Sequence, residues 1–247
     1  MVIYKVSAVS YLNTLPFIYG LKKSELISSI NLQLDYPAIC ADKLLNAEVD
    51  IALVPITVIP NLKCYNIISN YCIGADGAVD TVCLYSDVPI SEIKKIYLDY
   101  QSRTSVALLK VLLKEYWDLN TELIKAEVGF EYTINGENAA LVIGDRAFDL
   151  NHKHKYVYDL STLWKEMTGL PFVFACWVAI KDLPDQFIKD FNIALKGGLN
   201  NIDEAILSES DNYPRCVSSK EYLNQKISYI LDGDKQRGME LFLKKII

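Results

Sequence analysis

Four polar residues, Ser102, Arg103, Thr104 and Ser105, stand together in "YLDYQSRTSVALLK" (residues 97–110). An apolar run ends at Asp99, and apolar residues then recur at 106, 109, 113 and 116. That is the pattern of a strand that turns into a helix at the polar cluster. The first N–H groups of a helix have no partner within it, and the helix dipole makes that end positive. Such an end binds a carboxylate or a phosphate. Three hydroxyls add donors where one would serve as a cap. Arg103 has two readings: a bidentate clamp on a carboxylate, or an ion pair with Asp99 or Asp145. A second cluster, "SYLNTLPF" (10–17), follows the apolar run Val2–Val9. Thr14 is suited to cap a helix and Pro16 to its first turn. Ser10 and Asn13 then fall on a strand-to-helix loop, where open α/β sheets bind ligands. The Asn13 amide can donate and accept, and Asn is equally a turn former.

Acid–base residues are scarce. The two histidines, His152 and His154, sit among lysines in "LNHKHKY" and read as an exposed loop rather than a metal site. Asp145, in "LVIGDRA" beside Gly144, ends a strand and has two readings of at least equal standing: a structural role, or the leading carboxylate for the site. Asp76 and Asp99 read as turn formers. The six cysteines form no Cys-x-x-Cys pair and mostly lie in apolar runs, as buried thiols of a reducing compartment do. Neither a metal nor a cofactor is called for. A net charge of −6 without a basic stripe argues against nucleic acid. No apolar run reaches the length of a membrane span, and no secretory leader is apparent at the start. A cytoplasmic location is therefore expected.

To bring these clusters together, the chain must alternate strands and helices. Strands are expected at Val2–Val9, 30–36, 51–54, 65–73 and 79–85, with "GADGA" as a turn between the last two. Helices are expected at 16–28 and 39–47. A second unit follows: strands near 93–99, 122–128, 140–143 and 156–159, and helices at 104–117 and 161–168. A long apolar strand, 171–180, comes next. Helices at 184–208, at a capping box Ser218–Glu221 and at 234–247 close the chain without strands of their own. Parallel βαβ units follow from this order. Two passages between units, near Tyr85–Pro89 and Phe172–Ile180, give a hinged cleft. The expected division is lobe one at 1–86 and 178–247, lobe two at 87–177.

Six ordered blocks, "VSYLNTLPFIYGL", "DIALVP", "CIGADGAVDTVCLYS", "IYLDYQSRTSVALLKVLL", "LVIGDRA" and "DLSTLWKEMTGLPFVFACW", resemble the chorismate dehydratase family of futalosine-dependent menaquinone biosynthesis. The resemblance runs from residue 7 to about 178. It implies an α/β, two-lobed, periplasmic-binding-protein-like (type II) fold with a central ligand cleft. It also implies a hydro-lyase that converts chorismate to 3-enolpyruvylbenzoate, with Asn13 and Asp145 in the chemistry. Ser10, Thr81 (usually serine in the family), Ser102, Arg103, Thr104, Ser105 and Gly144 would bind the substrate. The base stays open between Asp145 and the substrate's own enolpyruvyl carboxylate. The sister enzyme, which releases a dihydroxynaphthoate, carries a "CPN"-type sequence where this chain has "SYLN". A non-catalytic solute-binding or sensor protein of the same fold is the alternative from another class.

Overall fold

A computed structural model describes residues 2–150, 153–208 and 219–246. The chain builds two mixed sheets. The first contains β1 (Tyr4–Val9), β2 (Ile30–Asp35), β3 (Ile51–Pro55), β4 (Asn66–Ala75), β10 (Phe172–Ala179) and β11 (Ser228–Ile230), in the order β11-β4-β10-β3-β1-β2. The second contains β5 (Val82–Ser86), β6 (Lys95–Leu98), β7 (Glu122–Lys125), β8 (Asn138–Ile143) and β9 (Tyr156–Asp159), in the order β7-β6-β8-β5-β9. β1 lies parallel to both β2 and β3, as the βαβαβ opening requires. Its last four residues are fully buried, which is why it reads as one continuous apolar run.

The helices are α1 (Leu15–Lys23), α2 (Pro37–Leu45), α3 (Arg103–Glu115), α4 (Leu160–Thr168), α5 (Asp185–Leu199), α6 (Ile202–Ser208), α7 (Ser219–Glu221) and α8 (Gly233–Ile246). α1 grows out of a 3-10 turn, Leu12–Thr14, so Thr14 is not needed as a side-chain cap. Its hydroxyl donates to Asn13 Oδ1 instead, at 3.1 Å. The single helix expected over 184–208 is two, because Asn201 N–H turns back to the Gly198 carbonyl between them. Ser218 of the capping box lies outside the described residues, as do Cys216 and His152. After α7 the backbone continues as a π-helical turn, Tyr222–Lys226.

Three expectations are corrected. Val82–Ser86 belongs to the second sheet, where it pairs antiparallel with β8 and β9, and Phe172–Ala179 belongs wholly to the first. The chain therefore changes lobes at 76–81 and 169–171, not near Tyr85–Pro89 and Phe172–Ile180. Lobe one is accordingly built on strands up to Ala75 and from Phe172 onward. A turn within a lobe and a passage between lobes use the same Gly/Asp chemistry, so "GADGA" marked the break without saying which it was. The carboxyl-terminal region does contribute a strand, β11, paired with β4. Three residues are too few to show a period.

Helices α1 and α5 meet through glycines. A Cβ on Gly198 would stand 1.8 Å from the Pro16 carbonyl oxygen, and one on Gly20 2.1 Å from that of Ala194. Gly197, next in sequence, has nothing within 4 Å. Gly198→Ala is therefore expected to destabilise the protein by roughly 1–3 kcal/mol through overpacking. Gly197→Ala should instead stabilise it by up to about 1 kcal/mol, by helix propensity. Urea unfolding of both variants decides: equal effects would mean the helices do not meet this closely.

Candidate functional site

The carboxyl ends of β1 and β3 face those of β8 and the start of α3 across the seam between the lobes. A small cavity of about 50 Å³ lies there. Val9, Pro55, Ile73, Val79, Ile143 and Phe174 give it apolar walls, and Asn13, Thr81, Ser102 and Ser105 place polar atoms on it. The side chains of this lining hold no carboxylate, imidazole or amine, and Tyr11 is their one titratable group.

Each polar group is held by the backbone around it. Ser102 is the N-cap of α3: its Oγ accepts from Ser105 N–H at 3.1 Å and donates to Ser105 Oγ at 2.9 Å. Neither bond uses the Ser105 hydroxyl proton, and Ser105 lines the cavity. Thr81 closes the first passage between lobes, and its Oγ1 lies 2.8 Å from the hydroxyl of Tyr222. Gly144 has φ +66°, and a Cβ there would stand 2.8 Å from the Tyr11 ring. Only glycine lets the loop after β8 pass beneath that ring. The Tyr11 hydroxyl in turn hydrogen-bonds Gln101 Oε1 across the seam.

The other expected site residues are distributed differently. Arg103, the first residue of α3, points away from the cavity and pairs with Asp42 at 2.5 Å, with both side chains substantially exposed. Its carboxylate partner is Asp42 rather than Asp99 or Asp145. Thr104 is buried against lobe one, with its Oγ1 3.4 Å from Thr57 Oγ1. Ser10 donates its N–H to the Asp35 carbonyl, which anchors the loop, and does not line the cavity. Asp145 also stands behind the lining: both carboxylate oxygens face Leu12 N–H at 3.2 Å. Burial pushes its carboxyl up to about 6, and the Leu12 bond offsets this in part.

Asp99 is structural. Its carboxylate accepts from Arg146 at 2.6 and 2.8 Å, Gln101 N–H at 2.9 Å and Ile143 N–H at 3.0 Å. The Arg146 guanidinium sits over the rings of both Tyr100 and Phe130, which pack edge to face on each other. Burial raises the Asp99 carboxyl while Arg146 opposes the rise. Asp76 pairs with Lys165 at the surface. His154, expected in an exposed loop, is mostly covered and hydrogen-bonds Asp87 at 2.9 Å. Among the described residues no group of three or more His, Cys, Asp or Glu side chains is arranged to hold a metal ion, and no helix is long and apolar enough to cross a membrane. Tyr11, Gln101 and Tyr222 were not singled out in the sequence. Tyr11 and Gln101 adjoin recognised polar clusters, whereas nothing around Tyr222 signals a site.

The family model described as menaquinone biosynthesis matches residues 4–246. A chorismate dehydratase from Thermus thermophilus is 27% identical over 223 residues, 82% of each chain. Among solved structures, protein AF1704 from Archaeoglobus fulgidus aligns with TM-score 0.77 at 16% identity, covering 98% of this chain and 96% of that one. The CA3427 gene product of Candida albicans, described as having the generic periplasmic binding protein fold, aligns with TM-score 0.68 at 14% identity, covering 99% and 90%. The two-lobed, periplasmic-binding-protein-like α/β fold expected from the sequence is therefore the fold of this chain.

Two outcomes follow from the geometry. The cavity is far below the ~300–1,000 Å³ of ordinary small-molecule sites, so the lobes must part to load a ring. X-ray scattering should give the free protein a larger radius of gyration than the closed form has; equality would mean that loading needs no opening. Asp145 makes a separate prediction. Its folded pKa, about 6, lies above the ordinary 3.8, so the folded state holds the proton more tightly than the unfolded chain. Stability is then lost as pH rises from about 4 to about 6, and the loss persists above that range. Asp145→Asn should gain roughly 1–3 kcal/mol over the parent at pH 7.5 and little at pH 4. The same difference at both pH values in denaturant unfolding would show that the carboxyl is not shifted.

Proposed function

The chain belongs to the menaquinone-biosynthesis family, and from that membership we propose that it is a chorismate dehydratase, a carbon–oxygen lyase of the cytoplasm that forms 3-enolpyruvylbenzoate and water. The observation that carries the reading is the cavity between the lobes, apolar in its walls and lined by neutral donors. The full-length similarity to a chorismate dehydratase supports it.

The reaction sets the requirements. The ring C3 proton of chorismate is acidified through the conjugated ring carboxylate. Its removal places negative charge on that carboxylate as an enediolate. The C4 hydroxyl then departs, the ring becomes aromatic, and the abstracted proton and the hydroxide make the water released. Donors fixed toward the growing charge contribute most to such a step. We assign the Ser105 hydroxyl and the α3 amino terminus to one substrate carboxylate and the Thr81 hydroxyl to the other. Asn13, with its amide at the cavity, is assigned to the ring and the departing hydroxyl. Its backbone carbonyl accepts from the Tyr229 hydroxyl at 2.9 Å.

No side chain of the lining is a conventional base, which favours the substrate's enolpyruvyl carboxylate as proton acceptor. Asp145 is then the anchor of the Leu12–Asn13 turn rather than the base. Chorismate needs only to be held in its reactive pose with two carboxylates bound, and proximity of that kind is worth several kcal/mol.

Incubation of the protein with chorismate should yield an aromatic enolpyruvyl benzoate detectable by absorbance and mass; its absence sinks the reading. Asn13→Ala should lower kcat by at least about tenfold, more than it raises KM, the signature of an interaction made in the transition state. Asn13→Asp should lose binding or rate with a near-normal melting temperature, because it adds a negative charge beside an anion. Near-normal kinetics in both would free Asn13 of any role in the chemistry. Ser105→Ala should weaken kcat/KM by roughly 10- to 100-fold, the range of a charge-assisted hydrogen bond of about 1.5–3 kcal/mol.

A further inference from the structure

We infer that Tyr222, contributed by the carboxyl-terminal π-helical turn, is a positioning residue that orients the Thr81 hydroxyl so that its hydrogen faces an anion in the cavity. The inference rests on the cavity being the substrate site. Tyr222 is 2% exposed; its hydroxyl lies 2.8 Å from Thr81 Oγ1 and has the Asn13 side chain as a neighbour. Its ring is seated edge-on against Phe148, 5.0 Å between centroids. π-Helical turns interrupt regular helices and frequently mark functional positions.

The order of protons along this chain follows from counting donors. The Thr14 hydroxyl donates to Asn13 Oδ1 at 3.1 Å. That leaves Nδ2 as the part of the Asn13 amide for the Tyr222 side, where it favours a phenol oxygen that accepts. Tyr222 has one proton, and it goes to Thr81 Oγ1. Thr81 keeps its own proton, whose protein acceptor, the Val79 carbonyl, is 3.4 Å away. At that length the bond is weak, so a carboxylate in the cavity can take the proton in its place. The reverse order would have Thr81 donate to Tyr222 and Tyr222 to Asn13. It would turn a lone pair toward the anion and repel it. Burial holds the phenol neutral, so Tyr222 passes on orientation and not charge. The Tyr229 hydroxyl, bonded to the Asn13 carbonyl, fixes the same loop from its backbone side.

Tyr222→Phe removes only the hydroxyl and keeps the ring packed on Phe148. The readout is calorimetric binding of 3-(carboxymethoxy)benzoate, a stable aromatic dicarboxylate used as the probe. Tyr222→Phe and Thr81→Val should each weaken it about tenfold, as loss of one ordinary hydrogen bond does. The double variant should be no weaker than Thr81→Val alone, and Thr81→Ser should restore near-parental binding. The melting temperature of Tyr222→Phe should stay near that of the parent. Unchanged binding in Tyr222→Phe, or losses that multiply in the double variant, would overturn the inference, because Tyr222 would then act independently of Thr81. Failure of the unsubstituted protein to bind the probe would overturn it too. Chorismate turnover, measured alongside, judges the functional reading separately: coupled losses in probe binding without turnover would leave Tyr222 in its role and remove the reaction.

Discussion

The carboxylate of Asp159 holds the two lobes in register. One oxygen accepts from Val79 N–H at 2.9 Å and Asp80 N–H at 2.7 Å, in the first passage between lobes. The other accepts from Ser161 and Thr162 N–H, both at 3.0 Å, at the start of α4. That helix leads, through Gly169 in the left-handed region, into the second passage. One side chain thus ties the first passage to the start of the helix that leads into the second. Burial raises its carboxyl, and the N–H donors counter the rise. Loss of the carboxylate would take the acceptor from four backbone N–H groups at once, a costly change where they are buried. The clamp also fixes Asp80 at φ +62° and hence the direction in which the next residue, Thr81, enters the cavity.

Around that clamp the seam is closed by contacts of unequal weight. The exposed pairs Arg103–Asp42 and Lys165–Asp76 sit where water and salt weaken them, and such pairs contribute little. The covered contacts matter more: Tyr11 to Gln101, Leu12 N–H to Asp145, Thr57 to Thr104, and Ala38 N–H to the Gln101 carbonyl at 3.2 Å. Several adjoin the residues that line the cavity. Opening the cleft therefore disturbs the site itself, so the polar groups are correctly aimed only when the lobes are closed. Hinge closure in two-lobed folds works in this way.

The fold was legible because its strands announce themselves. β9 falls within the range expected, and β1 and β10 are the continuous apolar runs that buried central strands require. Ser102 and Ser105 were legible for a local reason: a cap and its third helical residue are fixed by spacing along the chain. Arg103, between them, was not. Its direction is set by rotation about the helix and by Asp42, 61 positions away. Tyr222 was hidden for the same reason in stronger form, since its partner Thr81 is 141 positions distant. The passages between lobes were misplaced because local sequence determines where a strand stops and not which sheet receives the next one.

The placement of charge in the second lobe follows a single logic. Asp99 and Arg146 neutralise each other immediately behind the cavity, and Asp145 is spent on the Leu12 backbone. What reaches the cavity from this lobe is the product of their packing: the loop at Gly144, the Ile143 wall and the amino terminus of α3. A fixed carboxylate in the lining would repel a dianion. A fixed guanidinium would stabilise the bound ground state about as much as the later charge, and uniform binding of that kind does not raise kcat. Neutral hydroxyls and N–H groups avoid both. They are held by neutral neighbours, Ser105 by Ser102 and Thr81 by Tyr222, and a low-polarity wall strengthens them as charge develops on the ligand. The scarcity of histidine and the retreat of the carboxylates from the cavity are thus the same feature, the one seen in composition and the other in space.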